Sequence, residues 1–185
     1  MVLTRHSRGF TIIEAMLTLL VVAILAALAA PAMTTFVRKD RSWSQANILV
    51  LTLNYARSEA VKRDLANGVS VCTTVDNLTC TGNPWQSGWI VRVNDPVNPV
   101  TLQTVNALNG GNFLTEANGI TEVRFQSNGT VVLVGAPGVA AASFKLCDST
   151  LDPQYARDVE VGLGGRIVSS TTPGQNVAGA ALVCP

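Results

Sequence analysis

Histidine is nearly absent from this sequence of 185 residues, because His6 is the only one. Imidazole is the commonest general base in enzymes and a frequent zinc ligand, so its scarcity argues against catalysis. The four cysteines form no Cys-x-x-Cys pair, and Asp148, Asp152 and Asp158 lack the spacing of a calcium loop. No glycine-rich phosphate loop lies between a strand pattern and a helix pattern. We expect no enzyme activity, cofactor, metal or small-molecule substrate.

Charge is also scarce, at 14% of residues, and Ala15 to Ala30 carry none. The apolar run from Phe10 to Ala30 is 21 residues long and contains one acid, Glu14. A span of about 20 residues crosses a bilayer, whereas a signal-peptide core has about 7 to 15. The run therefore predicts a retained membrane segment, and a signal peptide removed after the alanine-rich end is the alternative. A lone carboxylate in such a segment costs roughly 2.5 kcal/mol, so Glu14 needs a partner.

A second helical stretch follows the apolar run. From Trp43 to Asp64, apolar residues recur every three or four positions, as in a helix packed on a sheet. Pro31 predicts a kink or local melting before this stretch, and Asn67-Gly68 predicts its end at about Leu65 to Asn67. The amphipathic half of the helix is therefore predicted over residues 31–66.

The chain after Gly68 has the punctuation of antiparallel β-structure. Short runs rich in Val, Ile and Thr are separated by Gly, Asn, Pro and Asp, at residues 69–75, 88–93, 100–105, 120–126, 130–134, 141–146, 158–163 and 166–170. Asn128-Gly129 predicts a hairpin with a type I′ turn, and Gly164-Gly165 predicts a second hairpin. The fold class is therefore α+β, with a β-rich domain over residues 68–185.

The amino-terminal segment resembles the type IV pilin superfamily. Gly9, Phe10 and Glu14 match the cleavage pair and the acidic fifth mature residue of that family. The resemblance implies a leader of residues 1–9, cleavage by a prepilin peptidase between Gly9 and Phe10, and N-methylation of Phe10. It also implies that the helix of residues 10–30 spans the inner membrane once, with a periplasmic domain that joins the fibre at the cell surface. Glu14 would pair with the amino group of a neighbouring subunit.

Four further segments resemble the subgroup that includes FimT, FimU and GspH. They are Ala56-Arg57-Ser58-Glu59-Ala60, Trp85-Gln86-Ser87-Gly88-Trp89, Phe125-Gln126-Ser127-Asn128-Gly129 and Gly165-Arg166. The resemblance implies a type IV pilin fold, in which a long amino-terminal helix packs on an antiparallel sheet. The function it implies is that of a minor pilin, acting with other minor and major pilins in pilus initiation or at the tip.

All four cysteines lie in the domain expected outside the cytoplasm, which predicts two disulfides. Four cysteines allow three connectivities; we favour Cys72 with Cys80 and Cys147 with Cys184.

Two alternative functions remain open. A DNA-binding minor pilin for natural transformation would use Arg157 and Arg166 to contact phosphates. Residues 68–185 hold five basic side chains against eight acidic ones, which disfavours DNA at long range. A pseudopilin of a type II secretion system is the other alternative, and it would share the helix and the fold.

Overall fold

The computed structural model describes residues 9–82 and 84–185, and for residues 30–32 it describes the backbone alone. Residues 1–8, which form most of the predicted leader, lie outside the described residues. The chain divides into two compact units, the first ending at Arg38 and the second spanning Lys39–Pro185.

Helix α1 spans Ile12–Arg63. Thr11 precedes its first turn, and the Thr11 Oγ1 atom accepts a hydrogen bond from the Glu14 backbone N–H at 3.3 Å. The predicted local melting at Pro31 does not occur, since the backbone is helical through residues 30–32. A proline removes one hydrogen bond, and the turns on both sides keep the backbone helical. The helix ends at Arg63, earlier than predicted, because Asp64 takes a left-handed conformation with φ of 48°.

Within the second unit, one face of the helix is buried in the domain core. Leu49, Leu53, Ala56 and Ala60 are at most 1% exposed and recur at spacings of three and four. They belong to one apolar cluster with side chains from both sheets described below. The predicted stripe therefore packs as expected from Leu49 to Ala60, whereas Trp43, at which the predicted stripe begins, is 54% exposed.

Nine strands occur among the described residues and form two antiparallel sheets. They are β1 Val69–Thr73, β2 Gly88–Val93, β3 Val100–Asn106, β4 Phe113–Glu116, β5 Glu122–Phe125, β6 Val131–Val134, β7 Ala141–Cys147, β8 Arg157–Gly162 and β9 Ile167–Ser169. The first sheet has the order β3-β2-β1-β5-β6, and the second has the order β4-β7-β8-β9. Eight of these strands overlap the predicted runs. Strand β4 escapes prediction because its four residues lie at a sheet edge and include only one β-branched residue.

The Asn128-Gly129 hairpin forms, but its turn is not of type I′. Only Gly129 has positive φ, at 79°, whereas a type I′ turn needs positive φ at both central residues. The Gly129 N–H donates to Gln126 O, and the Gln126 N–H donates to Thr130 O. Asn128 Oδ1 accepts from both the backbone N–H and the hydroxyl of Thr130, and these bonds favour a longer loop. The predicted hairpin is confirmed, while the predicted turn type is wrong.

Two tryptophans anchor the region where the sheets meet. Trp89 is fully buried, and Trp85 is 4% exposed. The Trp85 indole N–H donates to Ile120 O at 2.9 Å. The rings of Trp85 and Phe144 pack edge to face, with their centroids 4.7 Å apart. Neither ring is available as a platform for stacking bases.

Candidate functional site

The residues predicted to act in processing and assembly lie at the start of α1. Gly9 and Phe10 are exposed, Phe10 by 83%, and Glu14 stands in the first helical turn. Thr11 and Glu14 have the Thr-x-x-Glu spacing of a capping box, a helix-start signal that is visible in the sequence itself. The Thr11 hydroxyl caps the helix, and a carboxylate at this end is favoured by the helix dipole.

The Glu14 carboxylate has no hydrogen bond or ion pair with any residue that the structure describes. It differs in this from Glu59 and Glu122, whose carboxylates each meet an arginine within 3 Å. Glu14 is exposed and lies close to Gly9 and Phe10, the predicted cleavage pair, whose new amino group would be cationic. The geometry leaves it able to accept a charged hydrogen bond from another molecule.

The helical segment that follows Glu14 has an exposed, apolar surface that suits contact with lipid or with other helices. Ile12–Ala29 has a mean hydropathy of 2.6, and none of it is buried within the chain. Every side chain from Thr11 to Ala29 is exposed. By length and composition this helix can cross a membrane, as the sequence predicts.

The cysteines form the two pairs that the sequence analysis favours. Cys72 is bonded to Cys80, and Cys147 is bonded to Cys184. The first pair closes a loop in which Asp76 accepts four hydrogen bonds, from the hydroxyls of Thr74 and Thr79 and from the Leu78 and Thr79 backbone N–H groups. These bonds, above all that from the Thr79 hydroxyl, hold the pKa of Asp76 far below its ordinary value of 3.8.

The second disulfide fixes the carboxyl-terminal segment on the second sheet. Cys147 packs with Ala156 and Leu182, all of them buried. The Leu182 N–H donates to Gly174 O at 2.8 Å, and Lys145 Nζ donates to Val183 O at 2.7 Å. The terminus is therefore held by a covalent bond, a small apolar cluster and polar contacts.

The two arginines proposed for DNA contact differ sharply in environment. Arg157 is 9% exposed, and its Nη1 donates to Ser170 O at 3.3 Å and to Thr171 O at 3.2 Å. Burial lowers the pKa of Arg157. Arg166 is exposed. The structure therefore does not bring the pair together as a free basic patch, because Arg157 holds the carbonyl groups that follow β9.

Helix α1 carries two arginines of different kinds near its end. Arg63 Nε donates to Glu59 Oε2 at 2.7 Å, one helical turn away, and this bond lowers the pKa of Glu59. Arg57 has no hydrogen bond or ion pair to any described residue. Its guanidinium instead lies over the glycine turns of two hairpins, at Gly129 and Gly165.

The described residues contain no group of three or more His, Cys, Asp or Glu side chains placed to hold a metal ion. The carboxylates that lie close together in sequence are used within the fold. Asp148 accepts from the Thr150 hydroxyl and the Asp152 N–H, and Asp158 accepts from the Ser143 hydroxyl and the Val177 N–H.

Two family models match different parts of the chain, one at the amino-terminal helix and one over the helix end and the β-domain. The model of the family described as type II transport protein GspH matches residues 45–165. The model of the prokaryotic N-terminal methylation motif matches residues 4–30. A search of curated protein sequences finds no match.

Two solved structures share the fold. Both are crystal structures of the type IV minor pilin FimU of Pseudomonas aeruginosa strain PAO1, in two crystal forms. The first has a TM-score of 0.56 and 22% identity, and the match covers 74% of this chain and 98% of that one. The second has a TM-score of 0.55 and 23% identity, covering 72% and 98%. With the long helix, the antiparallel sheets and the methylation motif, the two structures show the type IV pilin fold. The match of the GspH family model to residues 45–165 shows that the chain belongs to the GspH family, within the FimT, FimU and GspH subgroup.

Proposed function

We propose that this chain is a minor subunit of a type IV pilus that takes part in starting the fibre or in forming its tip. Its prepilin is cleaved between Gly9 and Phe10, and Phe10 is then N-methylated. The mature helix enters the inner membrane once and leaves the β-domain in the periplasm. Assembly then carries the subunit into the fibre beside other minor and major pilins.

The observation that carries this proposal is the unpartnered carboxylate of Glu14 on an exposed apolar helix. Removing that charge from water without a partner is costly, whereas a cationic amino terminus on a neighbouring subunit would compensate it. The Glu14 carboxylate is therefore stabilised when the subunit packs beside another processed subunit. A monomeric membrane anchor gains nothing from it.

A second observation comes from the helix within the second unit. Between Ser42 and Ser58, the only charged side chain is Arg57. The exposed face instead carries Ser and Asn residues with large apolar groups, namely Trp43, Ile48, Leu51 and Tyr55. A helix face that is meant to stay in water usually carries charge. This face suits contact with the helices of neighbouring subunits.

The test compares Glu14→Ala with two matched variants in a piliated host. Glu14→Ala should leave membrane insertion and processing intact but remove the chain from sheared pili. Thr11→Ala removes the hydroxyl cap and keeps the carboxylate, so it should assemble normally. Thr18→Ala serves as a control one turn further along the helix. Immunoblots of the pilus and membrane fractions measure the outcome, and normal recovery of Glu14→Ala in pili would contradict the pairing role.

The description of the matching family, type II transport protein GspH, supports one competing function, that of a type II secretion pseudopilin. A type II secretion pseudopilin would use the same helix and the same processing. Deletion of the gene separates the two functions: a pilus subunit should reduce piliation and twitching motility while secretion of type II substrates continues. The opposite pattern would favour the pseudopilin. DNA capture has less support, because Arg157 is buried within the fold.

A further inference from the structure

An apolar cleft of about 400 Å³ opens beside strand β6 in the second unit. Its walls come from β6, from the connection between β6 and β7, and from the turn between β8 and β9. Every lining residue is apolar or glycine, and the main ones are Val131, Val132, Leu133, Pro137, Val139 and Leu163. Val132 and Leu163 remain 44% and 46% exposed. The cleft has the size and the lining to take an apolar side chain.

Strand β6 is an edge of its sheet, and its backbone geometry adds a second feature. The Val131 N–H donates to Leu163 O, so it points away from β5. Backbone groups repeat their direction every second residue, so the Leu133 N–H also points outward. An outward N–H on an edge strand can pair with an extended segment of another chain. The cleft thus offers both an apolar pocket and a backbone donor.

Two unpaired arginines belong to, or lie against, the turn of residues 162–166, which also contributes Leu163 to this cleft. A Cβ atom on Gly165 would lie 3.1 Å from Arg57 Nε, and one on Gly129 would lie 3.4 Å from the same atom. Glycine at these two turns therefore leaves room for the guanidinium of Arg57. Arg166 follows Gly165 directly and is exposed. No described residue forms a hydrogen bond or ion pair with either guanidinium, so both can meet an acidic group.

We propose that this cleft and the pair Arg57 and Arg166 form one docking surface for an extended acidic segment of a partner protein. The segment places an apolar side chain against Val132 and Leu163 and pairs with the Leu133 backbone. Side chains two residues apart in a strand lie on one face about 7 Å from each other. A carboxylate two residues from the anchor therefore lies on the same face as the anchor and can point towards the turn that carries the arginines.

The surface suits a protein segment better than a nucleic acid. A phosphodiester chain has no apolar group to fill a cleft without polar side chains. Two cations give little of the phosphate neutralisation on which DNA binding depends. The partner is therefore recognised by a combination of apolar and acidic side chains on an extended backbone.

The test uses the full chain in neutral detergent micelles and a fluorescent, end-blocked peptide, Thr-Val-Leu-Thr-Asp-Glu-Thr. A charge-reversed peptide carries Lys-Lys in place of Asp-Glu, and a third peptide carries Ser-Ser in place of Val-Leu. A short duplex DNA is the fourth probe, and empty micelles correct for partition into detergent. Anisotropy titrations at low and physiological salt measure the affinities. Binding of the purified chain does not depend on processing or assembly, so failure here leaves the proposed function standing.

The acidic peptide should bind most tightly, and Arg166→Ala should weaken it about fivefold, the size of a good exposed ion pair. The matched control is Arg92→Ala, which removes an arginine from β2 at the far side of the sheet and should change nothing. Equal affinity for the acidic and charge-reversed peptides, or binding of neither, overturns the proposal. Binding of DNA that is lost in Arg166→Ala, without preference for the acidic peptide, also overturns it and assigns the surface to nucleic acid.

Discussion

Replacing Cys147 and Cys184 together with alanine should destabilise the β-domain by about 4 kcal/mol. The disulfide joins residues 37 positions apart, and the chain-entropy relation gives that value for the freedom the unfolded chain regains. The same relation gives about 2.5 kcal/mol for the pair Cys72 and Cys80, which are only 8 positions apart. The matched double variant of that shorter pair is therefore the control.

Urea unfolding of the full chain in detergent, followed by tryptophan fluorescence, measures both losses because Trp85 and Trp89 are buried in the domain. Hydrogen exchange locates the effect, since the Leu182 amide should lose protection in the Cys147 and Cys184 variant only. A loss below about 1 kcal/mol, or a larger loss from the shorter loop, would refute the entropic reasoning.

Three further predictions address the turns, the acid response and processing. Gly165→Ala should destabilise the domain by about 1 to 3 kcal/mol more than Gly119→Ala, measured by urea unfolding. Both glycines have φ near 78°, but only the new Cβ at residue 165 would overlap Gly129 O; equal losses would contradict this. The depressed pKa of Asp76 contributes stability above about pH 4 that is lost as the pH falls towards its folded value. Unfolding midpoints below pH 4 should therefore fall less steeply in Asp76→Asn than in the parent, and parallel curves would count against the assignment. Gly9→Val should block cleavage, and a mature mass beginning at Phe10 in that variant would disprove the processing site.

Features that depend on local sequence were predictable. The charge-free run and the spacing of apolar residues predict the two halves of α1, because helix periodicity and bilayer thickness act on neighbouring residues. Strands rich in Val, Ile and Thr were found for the same reason. Gly9, Phe10 and Glu14 form one contiguous motif, so no tertiary information was needed to single them out.

Features that depend on which strands become neighbours were not predictable. The sequence alone suggests that Arg157 is an exposed cation. In the structure it begins β8, an interior strand of the second sheet, and its guanidinium donates hydrogen bonds to the carbonyl groups of Ser170 and Thr171. Arg57 belongs to the Ala56-to-Ala60 motif, but the motif does not show that the Arg57 guanidinium lies over the glycine turns of two hairpins. Neither environment leaves a trace in local spacing, because the contacts join residues far apart in the chain.

The net charge of the β-domain says little about which groups it binds. Carboxylates outnumber cations in the β-domain. Most of these carboxylates accept hydrogen bonds from other groups of the same chain. Glu116, for example, accepts from the backbone N–H groups of Asn118, Ile120 and Ser143. At physiological salt a charge acts over a Debye length of about 8 Å, so an approaching group responds to nearby charges rather than to the sum. Recognition by this domain therefore depends on the cations that the fold leaves unpaired, and Arg57 and Arg166 are two that lie beside an apolar cleft.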